Sequence, residues 1–113
     1  MSEKISNPSA RSTCPIANSL DLIGDKWTLL IFRDLFRGKS KYGDFAGSAE
    51  GIPTNILASR LRSLEESGLI YKKPYSEKPP RNEYFLTDQG KRLGELVRFL
   101  KDWGVENIEG TSV

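Results

Sequence analysis

Between Ile52 and Ser67 the sequence sets Thr54, Asn55, Ser59, Arg60 and Arg62 among apolar residues at helical spacing. These side chains are short hydrogen-bonding groups or cations, suited to base edges and phosphate oxygens. Asn55 can pair bidentately with adenine, Thr54 and Ser59 can bond bases or phosphates, and Arg60 or Arg62 can reach guanine or the backbone. Acid enters only in the last turn, at Glu65 and Glu66, as expected of a surface that meets phosphate. Ser, Thr and Asn also populate any solvated helix face, so this segment alone leaves that reading open.

A second group follows directly. Ser76-Glu77-Lys78-Pro79-Pro80-Arg81-Asn82 reads as a turn stiffened by two prolines and tipped by Lys78 and Arg81. A basic finger of this kind can enter a minor groove or clamp phosphates. A Lys/Arg pair on a loop is often only a solvated surface, but Lys72 and Lys73 extend it into a basic track beside the helix. Lys39 and Lys41, after the glycine that ends an earlier helix, add cations for the DNA backbone.

Other chemistries find little support. There is no histidine and one cysteine, so a metal site would rest on carboxylates and a lone thiol, and no metal or other cofactor is expected. Glu65 and Glu66 diverge around a helix, no general base of the histidine type exists and no glycine-rich phosphate loop appears, so an enzyme is not expected. Cys14 precedes Pro15 at the start of a predicted helix, where the dipole and free amides make sulfur more reactive. It is a candidate sensor of oxidants or electrophiles; the competing reading is a reduced residue packed at a dimer interface. Any sensing disulfide would form between chains or with a small thiol.

The elements that must position these groups are legible from periodicity. Ile16, Leu20, Ile23, Trp27, Leu30, Ile31 and Leu35 recur at steps of three and four, and Gly24-Asp25 divides them into two helices with a bend. A short helix at about Tyr42 to Ser48 turns Tyr42, Phe45 and Ala46 inward. The Ile52 to Ser67 helix opens with Pro53 in its first turn, ends before Gly68, and buries Ile56, Leu57, Leu61 and Leu64. Leu69 to Tyr75 and Glu83 to Leu86 alternate as a hairpin. Thr87 caps a last helix from about Asp88 to Asn107, striped with Leu93, Leu96, Val97, Leu100 and Trp103.

At 113 residues the chain is one domain, expected to comprise a flexible start at 1–13, a folded unit at 14–107 and a flexible end at 108–113. Hydrophobic residues at 37% and charged residues at 28% describe an ordinary globular protein. Its longest apolar run, Trp27 to Phe32, is far short of the roughly 20 residues that cross a bilayer, and the start lacks a signal-peptide core. No membrane association and a cytoplasmic location are expected. With 17 basic and 15 acidic residues, composition does not argue for nucleic acid; distribution must.

The terminal helices carry more apolar surface than one small core needs. Ile16, Leu20, Leu96, Phe99, Leu100 and Trp103 are expected to pair across a two-fold axis, the alternative being that they thicken the core of a single chain. A homodimer predicts a pseudo-palindromic operator with half-sites roughly 34 Å apart on double-stranded DNA.

Cys14-Pro15, Leu22-Ile23-Gly24-Asp25-Lys26-Trp27-Thr28, Lys41-Tyr42-Gly43-Asp44-Phe45, Gly51-Ile52 through Gly68-Leu69, Pro79-Pro80-Arg81 with Glu83-Tyr84, and Leu86-Thr87 before Gly90 together resemble the HxlR-type winged helix-turn-helix transcriptional regulators, relatives of the MarR class. The resemblance runs from about Cys14 to Trp103. It implies a mainly α fold with a small β hairpin, a dimeric DNA-binding regulator acting as repressor or activator, a recognition helix beginning at Pro53, and a wing tip at Lys78 to Asn82. It also implies that a cysteine at position 14 can sense oxidants, quinones or aldehydes. The rival is a winged helix that binds protein and not DNA, which would require an apolar outer face on the recognition helix.

Overall fold

The computed structural model describes residues 4–113. The chain runs α1 (Pro15–Ile23), α2 (Thr28–Phe36), α3 (Tyr42–Ala46), α4 (Thr54–Glu66), β1 (Ile70–Glu77), β2 (Pro80–Leu86), α5 (Asp88–Lys91) and α6 (Gly94–Asn107). Three helices precede the α4–hairpin unit and two follow it, the order of a winged helix-turn-helix.

Local chemistry sets each boundary. At the end of α1 the Gly24 amide donates to the Leu20 carbonyl at 2.7 Å, and Asp25 accepts from the Trp27 and Thr28 amides at 2.9 and 3.0 Å, so α2 starts afresh at an angle. Pro53 is extended, with φ −60° and ψ 140°, and caps α4 from outside rather than opening its first turn. Gly68, at φ +78°, takes the left-handed conformation that lets the Leu69 amide reach back to the Leu64 carbonyl at 3.0 Å.

The hairpin is longer than its turn residues suggest. The strands pair antiparallel from Ile70 opposite Leu86 to Glu77 opposite Pro80, with one irregularity at Tyr75. Most of the expected turn Ser76 to Asn82 is therefore strand, and Lys78 and Pro79 make the tip. Pro80 is compatible because it opens β2, where a missing amide is tolerated. Lys41 forms a bridge to Glu83 on the free edge of β2, and the Tyr84 amide donates to the Ser40 carbonyl at 2.8 Å, which ties the hairpin to the turn before α3.

The expected single C-terminal helix is broken at Arg92-Leu93. The Arg92 and Leu93 amides bond three residues back, to Gln89 and Gly90, tightening the chain between α5 and α6. Two tertiary contacts explain the break: Gly90 lies against the Leu69 carbonyl, and Gly94 faces the Phe36 ring, with 3.3 Å left for a Cβ. Thr87 caps α5 as expected, accepting from the Gly90 amide at 3.2 Å.

Ile23, Ile31, Phe32, Leu35, Phe45, Ile52, Leu57, Leu61, Leu64, Leu69 and Ile70 form one buried cluster joining α2, α3, α4 and the base of the hairpin. Tyr42, expected inside, is 38% exposed. Residues 1–3 of the expected flexible start lie outside the described residues. Beyond them the chain is anchored where fraying was expected, because Ile5 packs on the core, Asn7 bonds Asn18 and Asp21, and Arg11 pairs with Asp21 at 2.8 Å. At the other end the Thr111 hydroxyl donates to the Gly104 and Ile108 carbonyls. No helix among the described residues is long and apolar enough to cross a membrane.

A methyl group on Gly90 would press into the Leu69 carbonyl, whereas one on Gly43 meets nothing within 4 Å. Gly90→Ala should cost about 2–3 kcal/mol in urea unfolding and Gly43→Ala should be neutral or slightly stabilising. Equal midpoints for the two variants would refute the close packing of α5 on Leu69 and β2.

Candidate nucleic-acid interface

One side of α4 is bolted to the core by Leu57, Leu61 and Leu64, each at most 2% exposed. The opposite side leaves Thr54, Asn55, Ala58, Ser59 and Arg62 exposed in one strip. At 13 residues the helix is about 20 Å long, a size that fits the roughly 12 Å wide major groove of DNA. The Tyr42 hydroxyl donates to the Thr54 carbonyl at 3.0 Å and pins the start of α4 to α3, a role the sequence did not suggest.

Arg60 does not belong to the strip. It points to the flank of α4, where its Nε lies 3.1 Å from an Asp25 carboxylate oxygen. The reason is angular: at about 100° per residue, Arg60 and Arg62 face nearly opposite ways.

The hairpin stands beside this strip with Lys78 and Arg81 exposed near its tip, and among the described residues neither they nor Arg62 has a carboxylate within ion-pair distance. Lys41 lies over the Tyr75 ring at 4.8 Å, and Lys73 over Tyr71 and Phe85 at 5.7 and 6.0 Å. Lys39 is half-buried, with its ammonium 3.9 Å from Asp34, and Lys72 reaches Glu65 at 3.6 Å. Lys39 is therefore partly neutralised within the fold.

A partly exposed ionic latch, also missed, fixes the turn that leads into α4. Arg33 grips Glu50 through two hydrogen bonds of 2.8 Å and touches Asp34 at 3.0 Å; Asp34, 2% exposed, accepts from the Ser48 hydroxyl at 2.5 Å. The one sequence signal for it is Arg33-Asp34 inside the otherwise apolar run of α2. Arg33 holds the Glu50 carboxyl below the usual carboxylate range, and Glu50 in turn raises the Arg33 guanidinium. For Asp25, burial pushes the carboxyl up, but hydrogen bonds from the Thr28 hydroxyl and the Trp27 and Thr28 amides, together with the adjacent Arg60 cation, outweigh it, so the group also sits low.

The terminal helices end largely uncovered. Ile16 is 71% exposed, Leu20 53%, Phe99 63%, Leu100 44% and Trp103 48%, and α6 has no buried residue at all. Leu96 differs from the others, being half-buried against the core of its own chain. Cys14 caps α1 and is exposed, with its amide donating to the Ser12 hydroxyl at 3.2 Å.

Residues 22–112 match the family described as HxlR-like helix-turn-helix. The chain belongs to that family. Among its HxlR-like relatives, YybR of Bacillus subtilis (strain 168), an uncharacterised HTH-type transcriptional regulator, is 35% identical over 107 residues, covering 95% of this chain and 86% of YybR. Rv3095 of Mycobacterium tuberculosis (strain ATCC 25618 / H37Rv), of the same description, is 44% identical over 93 residues, covering 82% of this chain and 58% of that protein. The redox regulator HypR in its reduced form is similar in structure, with a TM-score of 0.78 at 33% identity over 85% of this chain and 95% of HypR.

Because Glu50 and Asp25 titrate lower in the folded HxlR-like chain than when unfolded, the stability they supply is complete above the ordinary carboxylate pKa and drains away as pH falls through the folded values. Urea midpoints should be flat from about pH 7 to about pH 5 and drop below about pH 4. Glu50→Gln should make that drop shallower; an unchanged profile would remove Glu50 from the latch.

Proposed function

We propose that this HxlR-like chain is a homodimeric, sequence-specific DNA-binding transcriptional regulator, with residues 14–107 as its winged-helix domain. The observation that carries the reading is the exposed strip Thr54, Asn55, Ser59 and Arg62, with acid on that face only at Glu66 in the last turn, set beside a hairpin tipped by Lys78 and Arg81. In this reading α4 enters the major groove, where Asn55 and Arg62 read base edges, and the hairpin lies along the backbone with Lys78, Arg81, Lys41 and Lys73 near phosphates. A module that bound protein instead would need an apolar outer face on α4, and these residues are polar. The relatives' description as HTH-type transcriptional regulators supports regulation rather than catalysis. The DNA partner puts its place of work in the cytoplasm.

The dimer is supported by α1 and α6. A 14-residue amphipathic helix with nothing buried, together with exposed Ile16 and Leu20 on α1, leaves more apolar surface than monomers usually carry. Pairing Phe99, Leu100 and Trp103 with a second copy removes it and yields two α4 helices for two half-sites of a pseudo-palindromic operator. Cys14, exposed at the start of α1, is in this reading the oxidant-responsive group, and similarity to a protein described as a redox regulator supports it.

The test is binding to a duplex enriched from a random pool, followed across salt concentrations. Asn55→Ala should cost about 1–3 kcal/mol on the enriched duplex and much less on random DNA. Lys78→Ala or Arg81→Ala should lower the salt slope by about 0.9 per site, hence about 1.8 per dimer. A sedimentation mass of one chain at micromolar concentration would refute the dimer, and release from DNA by diamide that persists in Cys14→Ser would refute the sensor.

A further inference from the structure

Arg60 is a cation on the recognition helix that faces away from the DNA-facing strip, and its position calls for a role. Its Nε is closed off from solvent and lies 3.1 Å from Asp25 Oδ1, as a charge pair and not an aligned hydrogen bond. Asp25 is itself held by three hydrogen bonds. Its two oxygens take the Trp27 amide at 2.9 Å, the Thr28 amide at 3.0 Å and the Thr28 hydroxyl at 2.5 Å, and Thr28 is 1% exposed. The carboxylate thus caps α2 and at the same time offers its charge to α4.

Around the axis of α4 the three leucines define a buried line, and a line alone permits rocking. Arg60 lies on one flank of that line; Glu65, paired with Lys72 at 3.6 Å, lies on the other, with the Tyr42 to Thr54 bond on the same side. The two flanks are unequal. The Glu65–Lys72 pair is longer and its lysine is 48% exposed, whereas Arg60 and Asp25 are 33% and 29% exposed. Rocking matters because the helix with its side chains has a radius of about 5–6 Å, so a turn of about 10° carries a side-chain tip about 1 Å. A bidentate contact from Asn55 to a base has only a few tenths of an ångström of latitude.

We infer that Arg60, through Asp25, is a positioning residue for DNA recognition: the pair fixes the rotation of α4 on the core, and thereby aims Asn55, Ser59 and Arg62, without Arg60 touching DNA. The inference rests on the reading of α4 as the DNA-contacting helix. It extends that reading by joining the recognition helix to the segment that follows α1.

The variants are Arg60→Gln, Arg60→Lys, Asp25→Asn, which keeps an oxygen for the α2 cap, and the double variant Arg60→Gln with Asp25→Asn. Each is titrated as full chain against the duplex enriched by the unaltered protein, well below its melting temperature. Arg60→Gln and Asp25→Asn should each weaken binding about three- to tenfold, with the dependence on salt unchanged. The double variant should be no worse than the weaker single, and Arg60→Lys should recover most of the loss. A slope lowered as in Lys78→Ala would make Arg60 a direct phosphate contact and overturn the inference, as would unchanged affinity or simple additivity of the two losses. Failure of the unaltered chain to bind any duplex would instead sink the underlying reading, and this inference with it.

Discussion

A helix that must be buried and bare at once is the constraint around which the molecule is built. On α4 the burial of Leu57, Leu61 and Leu64 contributes about 2 kcal/mol for each side chain, and it can do so only if the other side carries nothing that needs cover. Thr54, Asn55, Ser59 and Arg62 satisfy that condition because water solvates them until something else does. The surrounding elements are braces for this rod: α2 and α3 supply Phe32 and Phe45 to its inner face, the Arg33–Glu50 latch fixes the turn that feeds it, and Gly68 stops it so that β1 leaves at a sharp angle. The exposed strip is useful for recognition because its opposite face is immobile.

Much of this was legible before any coordinates. Steps of three and four located α1, α2 and α4, and the punctuation at Gly24-Asp25 and Gly68 divided them where the chain divides. What periodicity missed is tertiary in origin. The break between α5 and α6 follows from Gly90 meeting the Leu69 carbonyl, a contact 21 positions back along the chain that no local pattern encodes. The hairpin outran its predicted ends because Pro79 and Pro80 read as turn, whereas cross-strand pairing carried Ser76 and Arg81 into the ladder. Arg60 was legible in principle: helical geometry sets it about 160° from Arg62, yet a reading by residue type treats the two arginines alike. The partner that holds it, Asp25, is 35 residues away, and neither spacing nor type announces such a pair.

The apolar ends follow the same division of labour. A core of this size uses one face of each helix, and α2, α3 and α4 already fill it. That leaves α6 to rest on α2 through Leu93, Leu96 and Val97 while Phe99, Leu100 and Trp103 face out. The apolar surplus thus falls on α1 and α6, whereas the polar strip belongs to α4, so the two kinds of surface sit on different elements of a chain of 113 residues.

The charge follows from arrangement, not excess. A net charge of +2 is too small to attract a polyanion, and several basic groups are spent inside the fold: Arg33 on Glu50 and Asp34, Arg60 on Asp25, Lys39 on Asp34, Lys72 on Glu65. Lys41 and Lys73 are handled differently. They lie over Tyr75 and over Tyr71 with Phe85, and an aromatic face orders an ammonium without cancelling its charge, as a carboxylate would. With Lys78 and Arg81 near the tip, the hairpin and the neighbouring Lys41 present four cations, Lys41, Lys73, Lys78 and Arg81, with no carboxylate in ion-pair distance among the described residues, two of them held in place by rings. The chain thus concentrates positive charge on the hairpin beside the polar strip of α4, with Glu66 and Glu77 as exposed carboxylates outside the ion pairs that the fold's cations make among the described residues.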